Sequence, residues 1–332
     1  MSIFVTGAAG FIGFSTARRL LERGETVVGI DNLNAYYSPQ LKQDRLALLT
    51  REHGAAFAFE PVDFADMAAL EALAGRHDFG RIVHLGAQAG VRHSIDQPAA
   101  FVQSNLVGHT NMLELARRRG ISHMVYASSS SVYGGNTSLP FRVEDRADHP
   151  LSLYAATKKA DELMSEVYAG LYRLPLTGLR FFTVYGPWGR PDMAMWQFTA
   201  ALFEGRPLPL YNGGRMQRDF TYVDDIVGGV LACLDSPPAD DGREKAGGST
   251  MPHALYNIGN SRSEDLARLV ALLEQATGRT AEVRLEPMQP GDVPCTCADI
   301  AAIARDHGYA PATPLEAGVP RFVDWFRDYH RI

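Results

Sequence analysis

The chain has 332 residues, enough for a large buried core, and its 46% hydrophobic and 21% charged content is that of a globular protein rather than a disordered or fibrous one. Its net charge of −6, from 32 basic and 38 acidic residues, argues against a general nucleic-acid binder, and no apolar run approaches the roughly 20 residues needed to span a bilayer. Three cysteines make no disulfide framework, and Cys295 and Cys297 have no further Cys or His arrayed nearby, so all three read as packing residues and no metal is expected.

Residues 2–5 are a short β-prone run leading into Thr6-Gly7-Ala8-Ala9-Gly10-Phe11-Ile12-Gly13, after which Ala17, Leu20 and Leu21 recur at helical spacing. This reads as strand, glycine turn, helix. Gly7 permits the tight turn, Gly10 lets a pyrophosphate approach the backbone, and Gly13 lets the helix pack closely on the strand. The helix N-terminus offers free N–H groups and a positive dipole end to phosphates. The spacing is GxxGxxG rather than GxGxxG, and the alternative reading is a glycine turn without a ligand. A strand starting at residue 2 leaves no room for a signal peptide, so a cytoplasmic location is expected.

A second strand at 26–30 ends in Asp31, about 20 residues beyond the glycines, where a carboxylate can accept hydrogen bonds from an adenosine ribose. A 2′-phosphate there would be repelled, which favours NAD over NADP. A third strand near 56–59 is followed by Asp63-Phe64, suitably placed to border an adenine. Further strands at 81–85, 124–127 and 176–180 alternate with long helices at 99–119 and 153–172, the pattern of a parallel sheet covered on both faces. Beyond residue 181 the chain is less regular. It has helices at 195–204 and 223–234, a turn at Asn212-Gly213-Gly214, an exposed loop at 237–250 and a final helix at 315–328. The expectation is an α/β protein in two parts, 1–181 binding the cofactor and 182–332 mainly binding substrate, with some chain returning to the first part.

The chemistry centres on Tyr154-Ala-Ala-Thr-Lys158, preceded by the serine run Ser128-Ser129-Ser130-Ser131. A Tyr and a Lys four apart share one helix face, so the ammonium can favour an ionised phenol able to take a proton. An upstream serine hydroxyl can hydrogen-bond a substrate oxygen. The plainer alternatives are a solvated Tyr/Lys pair and a loop of exposed hydroxyls.

The glycine pattern, the segment 128–134 and the Tyr154/Lys158 pair together resemble the extended short-chain dehydrogenase/reductases, and among them the NAD-dependent nucleotide-sugar epimerases. Asp31-Asn32-Leu33-Asn34-Ala35-Tyr36-Tyr37, Gln88-Ala89-Gly90-Val91-Arg92 and the stretch 182–193, with Thr183 and Gly189-Arg190-Pro191-Asp192-Met193, look like UDP-glucuronate 4-epimerases in particular. The resemblance covers essentially the whole chain. It implies a Rossmann-type doubly wound parallel sheet with a smaller C-terminal α/β domain. It also implies NAD held by Gly7, Gly10, Phe11, Ile12, Gly13, Asp31, Asn32, Asp63, Phe64, Leu85, Ala87 and Gln88, together with Tyr154 and Lys158.

In the same resemblance Tyr154 is the base, Lys158 keeps it ionised and reaches the nicotinamide ribose, Ser129 bonds the reacting oxygen, and Ser130 and Ser131 face the sugar. Related dehydratases carry an Asp-Glu pair at the positions of Ser130 and Ser131, and decarboxylating relatives a Glu at that of Ser131. Without those acids, oxidation followed by re-reduction remains. Arg190 offers a planar fork to a uronate carboxylate, with Thr183 nearby and Arg92 as a second candidate cation. Arg215 and Arg218, the latter the better candidate, fall where relatives contact the diphosphate, and Asp292 where they bind ribose or phosphate. Gln289 stands where many relatives have an Arg. The helices at 99–119 and 153–172 carry more apolar residues than one face requires, and the resemblance implies a homodimer through a four-helix bundle. The expected activity is NAD-dependent interconversion of UDP-glucuronate and UDP-galacturonate. The alternatives are a neutral UDP-hexose 4-epimerase, a UDP-glucuronate decarboxylase and an NAD-sensing regulator, the last opposed by the intact Tyr, Lys and Ser set.

Overall fold

The computed structural model describes residues 1–332. Its first part alternates short β-prone runs with helices: β1 (Ser2–Thr6), α1 (Phe11–Glu22), β2 (Val27–Ile30), α2 (Pro39–His53), β3 (Phe57–Glu60), α3 (Met67–Ala74) and β4 (Phe79–His84). A long helix, α4, follows at 98–119, then β5 (His123–Ser129), α5 (Leu153–Tyr172) and β6 (Leu176–Phe181). The later chain adds β7 (Thr183–Tyr185), α6 (Ala194–Glu204), β8 (Leu208–Leu210), β9 (Gln217–Tyr222), α7 (Val223–Asp235) and β10 (His253–Ile258). It closes with β11 (Ser263–Asp265), α8 (Leu266–Thr277), β12 (Val283–Leu285), α9 (Ala301–His307) and α10 (Leu315–His330). No helix is long and apolar enough to cross a membrane.

Seven strands form one sheet in the order β3-β2-β1-β4-β5-β6-β10, every neighbouring pair parallel. Alternate side chains of β1 show how it is covered. Ile3 and Val5 join a core with Phe14 and Leu20 of α1 and Val230 of α7, while Phe4 faces Leu70 of α3 and Met112 of α4. The order reverses between β1 and β4, and a crevice at such a switch point is where doubly wound sheets take ligands. A third core gathers Phe198 of α6, Leu269 of α8 and Phe322 of α10 over β8 and β9, building the later chain's own layer. Strand β10 returns to the large sheet beside β6.

The expected helix at 153–172 matches α5, and those at 195–204 and 223–234 match α6 and α7 to within a residue. Helix α4 departs from a regular expectation. Between Pro98–Phe101 and Gly108–Arg119 it widens into a π-turn at Val102–Val107. Asn105 sits in that turn, buried, accepting from the Gln88 N–H at 2.8 Å and donating to Gln88 O at 3.1 Å and Thr157 Oγ1 at 2.9 Å. Such turns mark places where a helix side chain is needed off the regular repeat.

Candidate active site

One cavity of about 650 Å³ is lined by the residues that follow β1, β2, β4, β5 and β6 and by segments of the later chain. Of the residues the sequence assigns to cofactor, catalysis or substrate, all but Asp63 and Arg215 line it. At its floor Gly7 has φ +67°, and a Cβ there would stand 2.9 Å from Gly86 Cα. A Cβ on Gly13 would come within 2.0 Å of the Gly7 carbonyl oxygen, so the start of α1 lies flat on the turn. No side chain caps α1, and Phe11, Ile12 and Gly13 border the cavity, leaving the helix's first N–H groups to it.

Asp31 is 8% exposed, and its Oδ1 accepts the Leu33 N–H at 2.8 Å. Asn32 donates to Asp63 Oδ2 at 2.9 Å, so Asp63 supports the loop from behind rather than lining the cavity. The Phe64 ring lies so close to Gly86 and Gly108 that a Cβ on either would meet it within 2.5 Å. Leu85, Ala87 and Gln88 form the wall beyond β4, the last held by Asn105.

Tyr154 stands in the first turn of α5, whose start is capped by Ser152 Oγ accepting the Ala155 N–H at 3.1 Å. It is half-buried, edge-on to Phe101 with ring centroids 6.0 Å apart. Lys158 lies one turn on, 3% exposed, with Nζ donating to Ala127 O and Asp161 Oδ2, both at 2.9 Å. Beneath the same wall, burial and then the Lys158 charge push His84 down to about 3.

The serine run divides. Ser129 Oγ accepts from the Ser131 N–H at 3.2 Å and sits 2.9 Å from Ser131 Oγ, and the single turn Ser130–Tyr133 keeps Ser130 and Ser131 at the cavity. Ser128 instead donates inward to Glu162 Oε1 at 2.6 Å. Glu162 is gripped on both oxygens by buried Arg180, at 2.8 and 2.9 Å.

At the far wall, Thr183 opens β7, half-buried. Arg190 gives its Nε and Nη2 edge to Asp192 at 3.0 and 2.5 Å, and the Tyr36 hydroxyl donates to the same carboxylate at 2.9 Å. Burial, then the Asp192 charge, push the Tyr36 hydroxyl up to about 12. Burial alone would lower Arg190, but Asp192 raises it above its ordinary value. Asp292 is shared by two cations, Arg218 Nη2 at 3.2 Å and Arg92 Nη2 at 3.4 Å, and Arg92 also lies over the Tyr211 ring. Arg215 is exposed and outside the cavity.

Several residues given no role of their own by the sequence complete the site. Arg45 of α2, fully buried, donates to Ala9 O at 2.7 Å, Trp188 O at 2.6 Å and Gly189 O at 3.1 Å, tying the glycine turn to the loop that carries Arg190. Lys42, also buried, donates to Asn34 O and Oδ1 at 3.0 Å and lies 3.8 Å from Asp31 Oδ1. Asp192 and Tyr36 hold Arg190, and Asp161 holds Lys158. The Asp192 signal was present in the sequence, as an acid two positions from Arg190. Tyr36 meets it only through the fold.

The model of the NAD dependent epimerase/dehydratase family matches residues 3–259 of the chain. A probable UDP-glucuronate 4-epimerase of Rhizobium meliloti (strain 1021) is 46% identical over 337 residues, covering 100% of this chain and 98% of the relative. A crystal structure of UDP-glucuronic acid 4-epimerase from Bacillus cereus, in complex with UDP-glucuronic acid and NAD, superposes with a TM-score of 0.86 at 30% identity, over 99% of this chain and 100% of that one. UDP-glucose 4-epimerase of Thermotoga maritima, with UDP-glucose, gives a TM-score of 0.87 at 28% identity over 99% and 100% of the two chains.

Proposed function

The chain belongs to the NAD-dependent epimerase/dehydratase family, and we propose that within it the chain interconverts UDP-glucuronate and UDP-galacturonate by inverting C4 of the sugar. The coarser activity is that of an NAD-dependent UDP-sugar 4-epimerase. The cofactor fits the residues present. Gly7 and Gly13 let the turn pack directly against Gly86 and the start of α1, the uncapped N–H groups of α1 suit a pyrophosphate, and Asp31 keeps its Oδ2 for ribose hydroxyls. When bound, NAD supplies the acceptor, and later the donor, of the hydride at C4.

The chain's own residues handle the proton and the orientation. Tyr154 takes the proton of the C4 hydroxyl and later returns it, with the buried Lys158 ammonium one turn away on the same helix face. Ser129 and Ser131 present hydroxyls to the sugar's oxygen, and neither 130 nor 131 is an acid that could assist elimination. The 4-keto form of a uronic acid is a β-keto acid and prone to lose CO2. A carboxylate fixed with its breaking bond out of line with the ketone resists that loss.

The observation that carries the uronate reading is Arg190 in the cavity wall with only its Nε and Nη2 edge engaged by Asp192. Nη1 makes no protein bond, so an end-on carboxylate can still be received. Arg218, Arg92 and Asp292 would hold the nucleotide end. Residues 1–181 are read as the cofactor unit, and 182–332 mainly as the sugar-nucleotide unit. We also read the chain as a homodimer, because α5 exposes Leu163 (58%), Val167 (54%) and Leu171 (70%) at four-residue spacing, and neighbouring α4 exposes Val102 and Val107.

The test is incubation of the purified chain with UDP-glucuronate, and separately with UDP-glucose, with no added NAD. UDP-galacturonate is the expected product. A UDP-pentose would make the chain a decarboxylase, turnover of UDP-glucose alone a neutral-sugar epimerase, and no change even with NAD supplied would end the enzymatic reading.

A further inference from the structure

Lys158 is a buried ammonium, which needs a counter-charge and acceptors for its N–H groups. Ala127 O and Asp161 Oδ2 take two of its three donors, each at 2.9 Å, leaving one for the cavity that Lys158 lines. Asp161 lies three residues further along α5, fully buried and outside the cavity wall. Its second oxygen, Oδ1, has no partner at all. Burial pushes this carboxyl up to about 6, against the pull of Lys158.

The other titratable groups packed around the pair each have side-chain partners of their own, although the Glu162 charge also acts on Asp161. On α5 itself, Glu162 is held by Arg180 of β6 and by Lys159. Helix α4 contributes His109, 2.9 Å from Ser165 Oγ, and β4 contributes His84, 2.7 Å from Thr6 Oγ1. Strand β5 contributes Tyr126, whose hydroxyl lies 2.8 Å from Nε2 of His253 in β10, and His253 Nδ1 meets Glu166 at 2.7 Å. Burial lowers His84 and His109 and raises Tyr126, so these three are neutral near pH 7.

We propose that Asp161 is a positioning residue of the reaction: it holds the Lys158 ammonium and, through its negative charge, sets the pH at which the Tyr154–Lys158 pair releases its first proton. This rests on the reading of Tyr154 as the base. A carboxylate behind Lys158 disfavours loss of a proton from either group, whichever atom carries it. Without that charge the proton leaves at lower pH, and the phenolate that forms is a weaker base. A general base works best when its proton affinity lies near the working pH, so the plateau rate falls as the acid limb moves.

Asp161→Asn keeps the shape and an oxygen for Lys158, and breaks no second contact because Oδ1 has none. The acid limb of kcat/KM for UDP-glucuronate is expected to move down by about one pH unit, with a several-fold lower plateau. Asp161→Glu restores the charge and returns the limb toward the wild-type position. The same downward shift is expected without substrate, in the phenolate absorbance that Tyr154→Phe removes, titrated in wild-type and Asp161→Asn backgrounds. Should Asp161→Asn fail to fold, Asp161→Ser removes the same charge and carries the same expectation. A limb and an absorbance titration that coincide with wild type overturn the assignment. Because the absorbance titration needs no turnover, the two readings fail separately. A chain that shifts as expected but never epimerises keeps Asp161 and loses the proposed activity; one that epimerises with an unmoved limb does the reverse.

Discussion

Replacing Glu162 by glutamine keeps the outline of the side chain and removes a charge from the wall behind the serine run. The wild-type carboxylate accepts four hydrogen bonds: from Arg180 at 2.8 and 2.9 Å, Ser128 at 2.6 Å and Lys159 at 3.1 Å. Arg180 is 1% exposed, and its remaining contacts, Tyr133 Oη at 3.0 Å and Val143 O at 3.1 Å, are neutral. Glu162→Gln therefore leaves a buried guanidinium without a counter-charge and sets an amide donor against one of its N–H groups. Breaking one side of a buried pair costs about 3–5 kcal/mol. At roughly 2 °C per kcal/mol for a chain of this size, the thermal midpoint should fall by about 6–10 °C, measured with and without saturating NAD. The pH dependence has a definite sign. Burial alone would raise Glu162, but Arg180 holds it below its ordinary value of 4.5, so its stabilisation is complete above that value and is lost as pH falls through the folded-state value. The gap between wild type and variant should thus be full at pH 7 and narrow in acid. A drop of under about 2 °C at pH 7, or a gap that stays constant into acid, would refute the idea that this pair anchors the wall.

Two further outcomes are expected. Arg190→Ala should raise KM for UDP-glucuronate about tenfold or more, the loss of one charge-assisted contact, and release CO2 during turnover; unchanged kinetics with no UDP-pentose would remove Arg190 from the sugar site. Val167→Asp places a charge in the exposed apolar row of α5 and should convert a dimer to a monomer in analytical ultracentrifugation, whereas a dimer that persists places the interface elsewhere.

The legible parts of this chain are those where local sequence must satisfy a local constraint. Gly7 and Gly13 are readable because a Cβ has no room at either, against Gly86 at the first and against the Gly7 carbonyl at the second. Tyr154 and Lys158 are readable because α5 puts them on one face. Helix α8 carries an equally plain signal, Leu266, Leu269, Val270 and Leu273 at helical spacing, although no helix was expected there.

The charge pairing around the site is not local, and it is the part the sequence hides. Tyr36 reaches Asp192, Arg218 reaches Asp292, and Arg45 reaches both Ala9 and Trp188 only after the sheet order has brought β1, β2 and the segment beyond β7 to one crevice. Helix α2 shows what this does to a pattern search. Lys42 and Arg45 occupy its buried face beside Leu41, Leu46 and Leu49, so the apolar stripe that would announce a packed helix is broken by two cations. Those interruptions are themselves informative. A buried cation is kept only where it has several acceptors, and here those acceptors belong to the glycine turn, the loop after β2 and the loop carrying Arg190. In this chain, then, the Lys and Arg that spoil the inward face of the helix after β2 point to the crevice, because the carbonyls of Ala9, Asn34, Trp188 and Gly189 that hold them belong to the segments that border it.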